Sequence, residues 1–127
     1  MDSIQYLLSI ESKGIKLGLK RTQELMVACN NPERKLTAIQ VAGTNGKGSV
    51  CAILSNILIE SNYKIGLFTS PHLVKLNERI RINGMPIPNS EIDLFINQFQ
   101  KNIEKIGSTF FETMTALACW YFKKENV

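Results

Sequence analysis

The chain is poor in the residues that mark special classes of protein. Its 127 residues include only three cysteines, an odd number and in no CxxC spacing. That excludes a disulfide framework and a zinc finger or ribbon. Four prolines and eight glycines are too few for a collagen-like or low-complexity chain. No stretch reaches the roughly 18 apolar residues of a membrane span. Met1-Asp2-Ser3-Ile4-Gln5 has neither the basic segment nor the apolar run of a signal peptide. Charge is also scarce: 15 Lys plus Arg against 11 Asp plus Glu leaves +4 (15 − 11). The basic residues are scattered, whereas nucleic-acid binders gather them in a patch or stripe. The expectation is a cytoplasmic protein with no nucleic acid and no membrane as partner.

What remains is enough for one core. Hydrophobic residues make up 44% and charged residues 20%, which is too apolar for a disordered chain. The length is at most one domain's worth. Periodicity predicts two short helices around Ile4–Leu8 and Leu19–Cys29, separated by Gly14 and Gly18 and closed by the turn Asn30-Asn31-Pro32. Residues 36–42 (LTAIQVA) read as a buried parallel strand, 47–61 as a helix and 64–68 (KIGLF) as a second strand. Asn83-Gly84 signals a hairpin. Ser90 with Asp93 and Thr109 with Glu112 resemble capping boxes opening two further helices. The fold class read from this order is α/β: a P-loop and a partial Rossmann-like, mainly parallel sheet with flanking helices. Only two parallel strands are visible, fewer than a usual sheet, so the pattern suggests a piece of a larger domain.

The chemistry-bearing segment is Gly43-Thr44-Asn45-Gly46-Lys47-Gly48-Ser49. Phosphate binding needs consecutive backbone N–H groups at a helix N-terminus, glycines that let a ligand approach, and a cation. All three are present between the strand and the helix. The strict G-x-x-x-x-G-K-[ST] pattern is not met, because Gly43 lies three residues before Gly46 and Gly48 follows Lys47. The hydroxyl that many P-loops turn to Mg²⁺ is therefore missing, and Ser49 or Ser70 are the substitutes. Ser70 is either a metal ligand or a turn former beside Pro71. His72, the only histidine, is either a hydrogen-bonding loop residue or a site residue. Glu112 is a capping acid unless its helix end faces the cleft. Phe110 and Phe111 are either core or a sandwich for a flat ring.

Four segments together carry a family resemblance: V-A-G-T-N-G-K-G-S (41–49), T-S-P-H (69–72), N-E-R-I-R-I (77–82) and F-F-E-T-M-T-A-L-A (110–118). With S-K-G-I-K-L-G-L-K-R (12–21) ahead of them, the chain resembles folylpolyglutamate synthase/dihydrofolate synthase, of the Mur ligase superfamily, over nearly its whole length. The resemblance implies an ATP- and Mg²⁺-dependent ligase of folate biosynthesis and one-carbon metabolism. Such an enzyme joins L-glutamate to dihydropteroate or a folate through an acyl phosphate, and the intact parent is a monomer. It implies that Gly43, Thr44, Asn45, Gly46, Lys47, Gly48 and Ser49 hold ATP, with Lys47 catalytic, and that Ser70 is a Mg²⁺ ligand. It also implies that Thr109, Phe110, Phe111 and Glu112, with Ser9, Ile10, Glu11 and Ser12, contact the pteroyl substrate, with His72 a further site candidate.

The family's metal-binding glutamate, in an E-V-G-x-G-G context, its metal-ligand histidine and its C-terminal domain have no counterpart in residues 1–127. The expectation is an N-terminal portion of the ATP-binding, Mur-ligase central-type domain, inactive alone. The alternatives are a small P-loop kinase or NTPase, or a non-catalytic nucleotide-binding remnant.

Overall fold

A computed structural model describes all 127 residues. The helices are α1 (Ser3–Glu11), α2 (Lys20–Ala28), α3 (Lys47–Glu60), α4 (Asn89–Ile106) and α5 (Phe110–Lys124). The strands are β1 (Gly66–Phe68), β2 (Ile80–Ile82) and β3 (Met85–Pro86), with single 3₁₀ turns at Pro32–Lys35 and Leu76–Arg79. The fold is α/β.

Local chemistry explains most boundaries. Asp2 opens α1 with a reciprocal box: its carboxylate accepts from Gln5 N at 2.7 Å, and Asp2 N donates to Gln5 Oε1 at 3.0 Å. Thr109 and Glu112 form the expected box at α5. Ser90 and Asp93 do not form theirs. The helix starts earlier, because Pro88 is already at φ −66° and its carbonyl accepts from Glu91 N and Ile92 N; a proline's fixed φ suits it to a helix entry. Asn83 and Gly84 both adopt positive φ (47° and 82°), which a two-residue hairpin requires, and join β2 to β3 in the register Ile82↔Met85.

The core lies among the helices. The α4 stripe Ile92, Phe95, Ile96, Phe99 and Ile103 is buried, and faces Met114, Leu117, Ala118 and Tyr121 of α5 together with Leu7, Ile10, Leu25 and Met26. α5 packs against α1, α2, α4 and the Pro32–Lys35 turn. Cys29 belongs to this core and Cys119 packs against it. Burial pushes their thiols up, to about 12 and about 11. All three cysteines are free.

The sheet differs from the sequence expectation. It is three-stranded and antiparallel, in the order β1-β2-β3. Residues 36–42 form no strand: none of the amides from 37 to 43 donates a backbone hydrogen bond, and Ile39 is 67% exposed. A parallel strand is stabilised by neighbours on its edges and helices over both faces. Neither is in place here, since α3, the helix expected to cover that strand, buries none of its residues. Val50, Ile53 and Ile57 of α3 are at least half exposed.

β1 meets α5 at a close approach. A Cβ on Gly66 would lie 2.8 Å from the Phe122 ring, and Phe122 is itself buried. Gly66→Ala therefore loses stability by about 1–3 kcal/mol through overpacking, read as a lower denaturation midpoint. Gly48→Ala, with nothing within 4 Å of its added Cβ, leaves the midpoint unchanged or raises it.

Candidate nucleotide and substrate site

The glycine-rich loop ends where expected. Gly46, at φ +77°, is the N-cap of α3 and Lys47 its first residue. A left-handed conformation directly before a helix favours glycine. No side chain caps α3. The backbone amides of residues 44–49 donate no hydrogen bond within the chain, so six consecutive N–H groups are free at the positive end of a 14-residue helix. Lys47 forms no salt bridge or side-chain hydrogen bond, and its Cγ lies 3.9 Å from a Cβ built on Gly43. Consecutive free amides with a lysine beside them match an anionic, phosphate-like ligand.

At the start of α5, Thr109 and Glu112 are buried. Glu112 Oε1 accepts from Thr109 N at 2.8 Å and from Arg21 Nε at 3.1 Å, while Glu112 N donates to Thr109 Oγ1 at 3.3 Å. Burial pushes the Glu112 carboxyl up, but these hydrogen bonds and the Arg21 charge outweigh it and leave the group below its ordinary value. Arg21 also donates to Leu17 O at 3.0 Å, and Lys16 Nζ to Gly107 O at 3.2 Å. Both tie the otherwise exposed 12–19 segment to the α4–α5 corner. The two phenylalanines separate. Phe110 is buried, whereas Phe111 is 53% exposed, with its ring stacked on Phe68 at 5.8 Å. They do not form a sandwich with one another.

Ser70 is exposed just past β1, and Thr69 N still pairs with Arg79 O. The loop after it is organised by Glu78. Its carboxylate accepts from three consecutive amides, Leu73 N at 3.0 Å, Val74 N at 3.0 Å and Lys75 N at 2.8 Å. The hydrogen bonds from Lys75 and Leu73 lead in lowering its pKa from 4.5 to about 2. Asn77 Nδ2 reaches Ile87 O and Asn89 Oδ1, tying the turn to the start of α4. Arg79 is buried and makes three contacts: Nε to His72 Nδ1 at 2.8 Å, Nη2 to Glu11 Oε2 at 3.5 Å, and its guanidinium carbon 5.0 Å from the Phe110 ring centre.

The residues at the end of α1 divide similarly. Ile10 is core, Ser9 Oγ donates to Tyr6 O and Ser12 Oγ to Ser9 O, and only Glu11 reaches across to another element, at Arg79. The structure thus brings Glu11, His72 and Phe110 around one guanidinium and holds Thr109 with Glu112. Arg21, Glu78 and Arg79 were not expected as site residues. Their signal was the N-E-R segment and a basic residue at the end of a glycine-broken loop, neither of which specifies a partner.

Magnesium is implied by the family resemblance, and the residues do not make a cage for it. Ser70 offers one neutral oxygen, and no group of three His, Cys, Asp or Glu side chains gathers anywhere in the chain. Nor is any helix long and apolar enough to cross a membrane.

No family model matches the chain. It is 44% identical over 115 residues to the dihydrofolate synthase/folylpolyglutamate synthase of Bacillus subtilis, covering 86% of this chain and 27% of that protein. The crystal structure of folylpolyglutamate synthase from Thermotoga maritima superposes with a TM-score of 0.89 at 33% identity, over 98% of this chain and 31% of the other. E. coli FolC in complex with DHPP and ADP superposes with a TM-score of 0.82 at 33% identity, again over 98% and 31%. Fold and sequence together place the chain with proteins named as synthases. The chain belongs to the folylpolyglutamate synthase/dihydrofolate synthase family and spans about a third or less of the length of the relatives it matches.

Because the Glu78 carboxyl sits below its ordinary value, its contribution is complete above about pH 4.5 and fades as pH falls toward about 2. Protection of the Leu73, Val74 and Lys75 amides, taken relative to the intrinsic exchange rate at each pH, falls over that window. In Glu78→Gln that protection is already low at neutral pH and independent of this titration. Identical profiles in the two proteins would remove Glu78 as the loop's anchor. Glu112→Gln loses about 1 kcal/mol of stability at neutral pH, since it exchanges a charge-assisted bond to Arg21 for a neutral one, measured by denaturant midpoint.

Proposed function

We propose that the chain supplies the nucleotide-phosphate cradle and part of the acid-binding face of an ATP-dependent ligase that adds L-glutamate to dihydropteroate or a folate. The observation that carries this reading is the run of free amides at 44–49 with Lys47 beside it. It is supported by the FolC neighbour described with DHPP and ADP.

In this reaction a carboxylate oxygen of the acid attacks the γ-phosphorus of ATP, and ADP departs. The resulting acyl phosphate exchanges a poor leaving oxygen for phosphate. The amine of glutamate then attacks the acyl carbon, phosphate leaves and the amine proton is lost to solvent. The loop amides and Lys47 hold the phosphates and offset the charge that develops on the transferring group. The end of α1 and the start of α5 face the pteroyl part of the acid, with the exposed Phe111 ring offering an aromatic surface to it. Ser70 would offer magnesium arriving on the nucleotide one neutral oxygen, and no cluster of three His, Cys, Asp or Glu side chains is present to complete its shell.

The chain is accordingly a portion of the ATP-binding domain of a monomeric, cytoplasmic ligase. The parallel Rossmann-like sheet expected at 36–42 forms only when further strands pair with it. Alone, the chain binds nucleotide and acid without turnover.

Calorimetry tests the assignment. ADP binds the 127-residue chain, and Lys47→Ala weakens it about tenfold or more by removing a charge-assisted contact, while dihydropteroate affinity is unchanged. Glu112→Gln does the reverse. Unaltered ADP binding in Lys47→Ala would overturn the cradle. Glutamate-dependent phosphate release from the chain alone would overturn its inactivity.

A further inference from the structure

We propose that Arg79 is the positioning residue for His72, and that His72 thereby presents its Nε2–H to an anionic oxygen of a bound acid. Arginine has no lone pair to accept with, so the 2.8 Å contact from Arg79 Nε requires His72 Nδ1 to be the acceptor. The ring hydrogen is then on Nε2, and the tautomer and ring plane are set from behind by the guanidinium of a buried arginine. Glu11 and the Phe110 ring hold that guanidinium from two other elements.

His72 lines a cleft of about 510 Å³ between α1 and the 72–77 loop, with Ile4, Leu8, Leu76 and Ile87 among its apolar walls. Lys75 lines it too and has no ion pair or side-chain hydrogen bond. Both donor hydrogens of the Asn77 amide are already engaged. The cleft therefore offers one oriented ring N–H and one ammonium group against an apolar wall. That combination is complementary to a carboxylate on an apolar body. Glu78 fixes the backbone of the same loop through the amides of Leu73, Val74 and Lys75. The choice of acid rests on the ligase reading; the Arg79–His72 pair does not.

His72 is the only histidine, so its ring can be read without assignment. In long-range proton–nitrogen spectra of the chain, Nδ1 is expected to be unprotonated and coupled through the hydrogen bond to Arg79 Nε, with the coupling lost in Arg79→Lys. A proton on Nδ1, or no coupling, overturns the pair. Binding is then measured with benzoate as the bare aromatic acid and with dihydropteroate. Arg79→Lys and His72→Phe are each expected to weaken both acids about tenfold, the worth of one oriented hydrogen bond to an anion. His72→Gln, whose amide N–H reaches the Nε2 position unaided, retains affinity and restores it to the Arg79→Lys chain. If Arg79→Lys does not fold, the His72→Phe and His72→Gln pair decides alone. Folded Arg79→Lys with native affinity, or Gln no better than Phe, overturns the proposal. If wild type binds ADP but neither acid while the coupling is present, the donor role is overturned and the nucleotide reading survives.

Discussion

A guanidinium removed from water is costly unless its donors and its charge are met, and Arg79 is met on three sides at once. Its partners come from the end of α1, the loop after β1 and the first turn of α5. One ionic centre therefore sets the distance between the three segments that hold most of the acid-side candidates. Losing any partner would leave a buried charge short of compensation, so the segments are coupled energetically although their sequences are far apart. The Arg21–Glu112 pair repeats the device at smaller scale, fastening the glycine-broken segment before α2 to the start of α5.

The two halves of the molecule are stabilised differently. The segments proposed to face the acid are anchored in a core that buries 20 hydrophobic residues. The segment proposed to hold the nucleotide, from the end of the Pro32–Lys35 turn through α3, buries none. Its order rests on local hydrogen bonding within α3 and on the connection to β1, where Lys64 reaches the C-terminal end of α5. An isolated 14-residue helix is marginal in water, so the amides at 44–49 are presented by the least buttressed element of the chain.

Those differences explain which parts were legible in the sequence. α4 was readable because its apolar stripe and its stop at Gly107 are local signals, and so were the Thr109–Glu112 box and the Asn83–Gly84 turn. The strand at 36–42 was misread because an apolar run reports readiness for burial, not the presence of partners to bury it. Arg79 was missed for the converse reason. Nothing within a few residues of a basic side chain in an alternating segment says that an acid, an imidazole and an aromatic ring from elsewhere will close over it. The glycine loop was legible as a loop before a helix. Its six free amides became visible only with the backbone hydrogen bonds in hand.

The hairpin turn carries one more consequence, a chemical one. Asn83 pairs twice with Ile65, donating its N–H to the Ile65 carbonyl and accepting from Ile65 N through its own side-chain oxygen. An exposed asparagine before glycine is a sequence prone to succinimide ageing, because the following amide nitrogen can attack the side-chain carbonyl. Hydrolysis to aspartate would keep an acceptor for Ile65. Hydrolysis to isoaspartate would lengthen the main chain by one carbon inside a two-residue turn and break the Ile82↔Met85 register. The clock for covalent damage in this molecule is thus set at the hairpin turn, by whether one side-chain oxygen stays bound to the residue just before β1.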